Sequence, residues 1–296
     1  MTRAPAPRRL FFVLLVLLLA GASGLVAADG WRAGAAREKI TPPAGLWMTG
    51  YAVRDRPAEG TAQELWCKAL AVSDGAGNRG VLLTLDLCGI TREISDRVAA
   101  ELGRRYRFPR GAVMINVSHT HCSPALAGNL SGLRILPPDG QAKSEAYTRE
   151  LEQKMIRVGV AALEALAPAT LSWPEDEAHF GFNRRENPIK DVPALRAAGK
   201  LKGPFDPRVP VLAVRSAGGE LRALLVSYAC HNTTLSIYQW HGDYAGAAQL
   251  EHVVRQCPAI LLRQVGERDH HGVLDSIADA LEHVLGLVAV LERIDG

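Results

Sequence analysis

Three of the nine histidines stand where a metal-assisted hydrolysis needs them. His119 and His121 lie two positions apart, just beyond an apolar run, Ala112–Val117, that reads as a buried strand. If the segment stays extended, alternate side chains share a face and both rings reach one pocket. His231 lies just beyond a second apolar run, Leu221–Tyr228. Strands that end in polar residues place ligands rigidly. Neutral imidazole is a common zinc ligand, and hydrolytic zinc keeps a position open for water or substrate. There the ion polarises a carbonyl and lowers the pKa of water to about 7. Two half-buried rings that merely hydrogen-bond locally are the other reading of a His-x-His pair, so the pair needs further support.

The other polar candidates are weaker. Asp86 closes the strand-like run Leu83-Thr84-Leu85-Asp86, where it either orients a ligand histidine or serves as a turn residue. Asp243, twelve residues after His231, either touches the site or caps the helix that follows. Arg184 and Arg185 could clamp an anionic or carbonyl oxygen, or form a surface pair on a loop. His179 and His252 read as ordinary strand and helix residues, His283 falls in an apolar helix, and His270-His271 sits in a polar turn. His241 is close to Asp243, with its role open. No Gly-x-Ser-x-Gly elbow, Walker loop or dinucleotide fingerprint occurs, which argues against serine esterases, nucleotide binding and dehydrogenases.

The elements that must position these residues follow from periodicity. Arg37–Ile40 ends a strand, and Leu65–Val72 with Gly80–Leu87 reads as a strand pair about a Gly-rich turn. Thr91–Tyr106 and Glu145–Leu166 read as amphipathic helices, with a long polar loop from Ser123 to about Ala142. Thr170–Trp173 and Ala178–Phe182 look extended, and Asn183 to Asp206 looks irregular. Val209–Arg215 and Leu221–Tyr228 form a hairpin, and a helix runs from Asp243 or Tyr244 to Gln256. A strand at Ala259–Leu262 and a helix around Leu274–Leu291 close the chain. This order predicts an α/β fold, a mixed β-sheet core flanked by helices in a single catalytic-type domain.

The chain as a whole fits an exported globular protein. It has 296 residues, 48% hydrophobic and 22% charged, with a formal net charge of +3, so neither disorder nor a basic nucleic-acid surface is expected. Arg8-Arg9, the apolar run from Leu10 to about Leu19, and Val26-Ala27-Ala28 form a secretory signal peptide over residues 1–28. The product is then secreted or periplasmic; an uncleaved signal anchor is the alternative. The apolar run is short for a span, which needs about 20 residues. The five cysteines form no Cys-x-x-Cys pair, so no structural zinc site is indicated.

Four segments together resemble the N-terminal catalytic region of the neutral/alkaline non-lysosomal ceramidases. They are Ala33-Gly34-Ala35-Ala36-Arg37-Glu38-Lys39-Ile40-Thr41-Pro42-Pro43 with Gly50-Tyr51, Ser118-His119-Thr120-His121-Cys122-Ser123-Pro124, Asn183-Arg184-Arg185, and Cys230-His231-Asn232-Thr233-Thr234-Leu235 with Gly242-Asp243-Tyr244-Ala245-Gly246. The likeness covers roughly residues 30–262. It implies a zinc amidase that splits ceramide into sphingosine and fatty acid. His119 and His231 would ligate Zn2+, His121 would bind substrate or stabilise the oxyanion, and Arg184 would stand near the substrate oxygens. It also implies a ceramide-like or other N-acyl substrate and peripheral contact with membranes. The family's further zinc ligands, a Glu and a Tyr, lie beyond the region that this chain matches, and from about residue 263 the likeness is lost. A truncated chain acting as a non-catalytic binding protein is therefore the alternative expectation.

Overall fold

The computed structural model of the protein describes residues 30–129 and 135–256. The leader at 1–28, the strand read at Ala259–Leu262 and the helix read around Leu274–Leu291 lie outside the described residues.

The first half builds β1 (Arg32–Lys39), the short β2 (Gly60–Thr61), β3 (Trp66–Ser73), β4 (Arg79–Leu85), α1 (Arg92–Tyr106) and β5 (Val113–Val117). The second half builds α2 (Pro138–Glu164), β6 (Ala167–Ser172), β7 (Glu175–Glu177), α3 (Val192–Ala197), β8 (Arg208–Ser216), β9 (Leu221–Val226), β10 (Gln239–Trp240) and α4 (Asp243–Gln256). The large sheet runs β5-β4-β3-β1-β6-β8-β7, with β9 also on β8. It is mixed: β4 and β5 are parallel while β1, β3 and β4 pair antiparallel. A separate parallel ladder joins β10 to β2. The α/β class with a mixed sheet core and flanking helices is what the pattern predicted.

Alternation explains the sheet. In β3 every second residue is buried, and β4 buries Val81, Leu83 and Leu85 while its neighbours stay half-exposed. The buried face takes α1 and α2. α1 buries Ile94, Val98, Ala99 and Leu102, a helical stripe, and its Thr91 hydroxyl accepts the Ile94 N–H as N-cap. α2 lies so close to β1 that a Cβ on Gly34 would meet the Ala162 carbonyl at 2.2 Å. Glycine is required there by contact, and the core gains short, dense helix-on-sheet packing.

Three boundaries differ from expectation. α2 starts at Pro138, seven residues before Glu145, because Pro at N1 carries no orphan N–H and Asp139 suits a helix N-terminus. Its extra turns seat Gly140 on Trp47. Residues 178–182 are not a strand; β7 ends at Glu177, and the Ala178 carbonyl is taken by Tyr228 Oη instead of a ladder. The Asn183–Asp206 stretch holds α3 and is not wholly irregular. None of the described helices is long and apolar enough to cross a membrane.

Candidate functional site

The parallel pair β4–β5 ends in polar residues at its carboxyl edge, where α/β sheets commonly bind ligands. The ladder continues for two residues past β5: Ser118 N–H donates to Leu85 O at 2.9 Å and His119 N–H to Leu87 O at 2.8 Å. The chain then turns, because His119 is left-handed (φ 63). The extended His-x-His that the spacing predicted is therefore not what forms. The rings converge through a turn, and a non-glycine residue in this region is of the kind found at functional sites. Thr120 and Ser123 lock the turn. The Thr120 hydroxyl donates to His241 O at 2.8 Å, and the Ser123 hydroxyl donates to Thr120 O at 2.9 Å while accepting the Cys88 N–H at 2.8 Å.

His231 comes from elsewhere. It lies five residues past β9 rather than at its end. Its loop is held by Asp243, which is fully buried and left-handed (φ 59). One Asp243 oxygen accepts Thr234 N–H, Thr234 hydroxyl and Tyr244 N–H at 2.7–2.9 Å, and the other accepts Leu235 N–H at 2.9 Å. Asp243 thus braces the His231 loop and does not ligate. Removing a carboxylate that accepts from four part-buried donors leaves them to water or unpaired, and the His231 loop loses its anchor. His241 plays a local part: its Nδ1 accepts the Asp243 N–H at 2.8 Å.

The three rings meet. His121 Nε2 is 3.3 Å from His119 Nε2 and 3.3 Å from His231 Nε2. The His119 and His231 rings stack with centroids 4.8 Å apart, and His121 stands edge-on to both. His119 Nδ1 lies 2.5 Å from Cys88 O, an atom that can only accept. Nδ1 therefore carries the proton, and Nε2 turns a lone pair toward the cluster. His121 differs. Its Nδ1 is buried without a hydrogen-bond partner. A bare buried acceptor costs less than an orphan N–H, which puts the His121 proton on Nε2.

Tyr51 and Gly50 fix the His121 ring. Tyr51 packs against it edge-on at 4.6 Å, and a Cβ on Gly50 would lie 2.3 Å from its Cγ. Neither had a role in the residue-by-residue reading of chemistry; the available signal was Gly50-Tyr51 beside the first resembling segment. Cys88 was also missed. Cys88, His119 and His121 each place one ligand atom within 4.8 Å of the others. The Cys88 sulfur, however, is 3.8 Å from His119 Nδ1, the nitrogen already bonded to Cys88 O. Burial also pushes the thiol up to about 11. Nε2 of His119 faces His121 instead.

The remaining candidates separate. Arg184 sits exposed in the turn after Asn183, close enough for its charge to act on His231. Asn183 Oδ1 accepts the Arg185 and Glu186 N–H groups and shapes that turn. Asp86 is buried but accepts the Trp66 N–H at 2.9 Å and faces Gln249 of α4, so it orients no histidine. Burial holds its carboxyl above the usual range. His179 pairs with Glu177 on the surface.

Burial first, then the charges of His119 and His231, push His121 down to about 4. Burial, His119 and Arg184 hold His231 below its ordinary value as well. An unfolded histidine titrates near 6.5, so between about 6.5 and about 4 the unfolded chain binds the extra proton and the folded chain resists it. The stabilisation is complete above about 6.5 and is lost as pH falls through that window. The metal-free protein should therefore show a Tm that drops between those pH values, and His121→Asn should flatten the drop. Scanning calorimetry across the window decides it; identical slopes would refute the assignment to His121.

Comparison with known proteins places this site in context. Residues 31–255 match the family described as neutral/alkaline non-lysosomal ceramidase, N-terminal. The chain is 26% identical over 235 residues to neutral ceramidase of Pseudomonas aeruginosa, covering 76% of this chain and 34% of that protein. It is 35% identical over 118 residues to neutral ceramidase 2 of Arabidopsis thaliana, covering 39% of this chain and 15% of that one. The crystal structure of the Pseudomonas aeruginosa neutral ceramidase superposes with a TM-score of 0.62 at 21% identity, over 80% of this chain and 37% of that chain. The chain thus spans about a third of the Pseudomonas protein. With a family match that takes in β1, the His119–His121 turn, Arg184 and the His231 loop alike, this chain belongs to the neutral/alkaline non-lysosomal ceramidase family as a carrier of its N-terminal region.

Proposed function

We propose that the chain carries a zinc-dependent hydrolytic site for N-acyl amide bonds, with a ceramide-like lipid as the substrate class. The observation that carries it is the approach of His121 Nε2 to within 3.3 Å of both His119 Nε2 and His231 Nε2. Relatives named neutral ceramidase supply the substrate class.

The residues present fit zinc. His119 is fixed as an Nδ1–H tautomer with its other nitrogen aimed into the cluster, the arrangement that orients imidazole for a metal. The low proton affinity of His121 and His231 keeps those two rings neutral near pH 7. His119 and His231 would hold the ion. Zinc, when bound, supplies a Lewis acid that acidifies water and polarises a carbonyl.

The chain's own groups do the rest. His121, neutral with its proton on Nε2, donates to the amide carbonyl oxygen and to the charge that gathers there. Tyr51 and Gly50 keep it aimed. Arg184 adds positive potential beside His231 for substrate oxygens. The leader read at residues 1–28 supports export, which brings the site to lipids at a membrane surface.

The test is hydrolysis of a fluorogenic N-acyl sphingoid probe by the purified chain in zinc. Release of fatty acid is expected, with kcat reduced about 100-fold in His121→Asn, the cost of removing one oxyanion donor. A zinc-loaded chain that leaves the probe intact would overturn the proposal.

A further inference from the structure

We propose that Arg54 is the positioning residue that holds His121 opposite His231. Its side chain is 2% exposed, and among the described residues no carboxylate pairs with it. A buried cation without a counter-ion is costly unless its donors are met. The two terminal nitrogens are met by main-chain oxygens from both halves of the site, while Nε is buried without a hydrogen-bond partner. One terminal nitrogen donates to Ser236 O at 3.2 Å and Ile237 O at 2.6 Å, in the loop that leaves His231. The other donates to His121 O at 3.1 Å and reaches Cys122 Sγ at 3.8 Å. The guanidinium therefore straps the His121 turn to the His231 loop with charge-assisted bonds.

Two aromatic rings keep the strap in place. The guanidinium carbon lies 5.2 Å from the Tyr51 centroid and 4.6 Å from that of Tyr238. Tyr51 packs on His121 and donates its hydroxyl proton to Leu235 O at 2.8 Å, repeating the same cross-link one residue earlier. Tyr238 is held in turn by Asp55, whose Oδ1 accepts the phenol proton at 2.7 Å. Lysine cannot stand in. It is a point charge without the planar fork needed to reach three carbonyls on two segments.

The inference rests on the zinc reading only for its functional consequence, so the experiment uses two readouts. Zinc affinity is measured by chelator competition in wild type, Arg54→Lys and Arg54→Met. In the metal-free proteins, the imidazole 15N resonances of His121 and His231 are recorded at one pH, with exposed His179 as internal control. Arg54→Lys is expected to fold, to bind zinc about 10-fold more weakly, and to shift the His121 and His231 resonances while leaving His179 unmoved. Unmoved resonances in a folded Arg54→Lys overturn the proposal. So does failure of Arg54→Lys to fold, which makes the role one of general stability. If wild type binds no zinc, the zinc reading fails, and the metal-free resonances still decide Arg54. Should Arg54→Met alone fail to fold, the lysine comparison is sufficient.

Discussion

Purified in the presence of zinc, the chain is expected to hold about one ion per molecule, and the His119→Ala/His231→Ala variant close to none, as it lacks both imidazoles proposed to hold the ion. Elemental analysis with protein quantitation reads this directly. The expectation follows from where the two rings are anchored. His119 is fixed through its Nδ1 proton on Cys88 O, and His231 through a loop whose donors converge on Asp243. Truncating both rings leaves the anchors intact, so the variant should fold and its Tm should no longer respond to added zinc. Equal zinc in both proteins would place the metal elsewhere and sink the ligand assignment. His121→Asn separates the roles further: it should retain zinc while losing turnover.

Gly50→Ala is expected to be nearly as damaging without removing any polar group. The added methyl would lie 2.3 Å from His121 Cγ and 2.7 Å from its Cβ and Cδ2. Neither side can retreat. Thr49 N–H donates to Ser123 O at 3.2 Å, and Met48 bridges Pro124, so the Gly50 segment is tied to the chain just past His121. Gly50 also has φ +93, a conformation that L side chains rarely adopt. Overpacking plus backbone strain should cost about 2–4 kcal/mol. Displacing His121 by about 1 Å should lower kcat/KM about 100-fold. Gly45→Ala is the control, because Gly45 has φ +88 with nothing within 4 Å of the added carbon. Its loss should report strain alone. Denaturant unfolding and probe kinetics on both variants check the argument, and equal behaviour of the two would refute the contact with His121.

Much of this was legible beforehand, for local reasons. Alternation in β3 and β4, the Thr91 cap of α1 and the β8–β9 hairpin are written in short stretches, so periodicity finds them. The histidines were legible as types at strand ends. Their convergence was legible only on the condition that the His-x-His segment stays extended, whereas a left-handed His119 makes the approach. Asp86 looked like a partner for a histidine because it ends a strand, but the strand's neighbour β3 and α4 claim its oxygens first. Arg54 carried no signal. An arginine in a polar loop reads as solvent-exposed, and only the fold shows four acceptors and two rings closing around it. Gly50 was invisible as a steric requirement for the same reason: its neighbour in space, His121, is far along the chain.

The spacing of the cluster also bears on how the chain acquires it. His121 and His231 are 110 positions apart, and the Arg54 strap spans 183. Closing loops of that size is an entropic step that cannot be rewarded until both ends are in place. The β3–β4 hairpin and the β4-α1-β5 unit involve short separations and can form first. On a ribosome, His119 and His121 emerge 110 positions or more ahead of His231, so the early chain holds only part of the cluster. The cluster is therefore expected to close late in folding. A nascent chain stalled before residue 231 carries the sheet edge and the turn but lacks the means to close the centre.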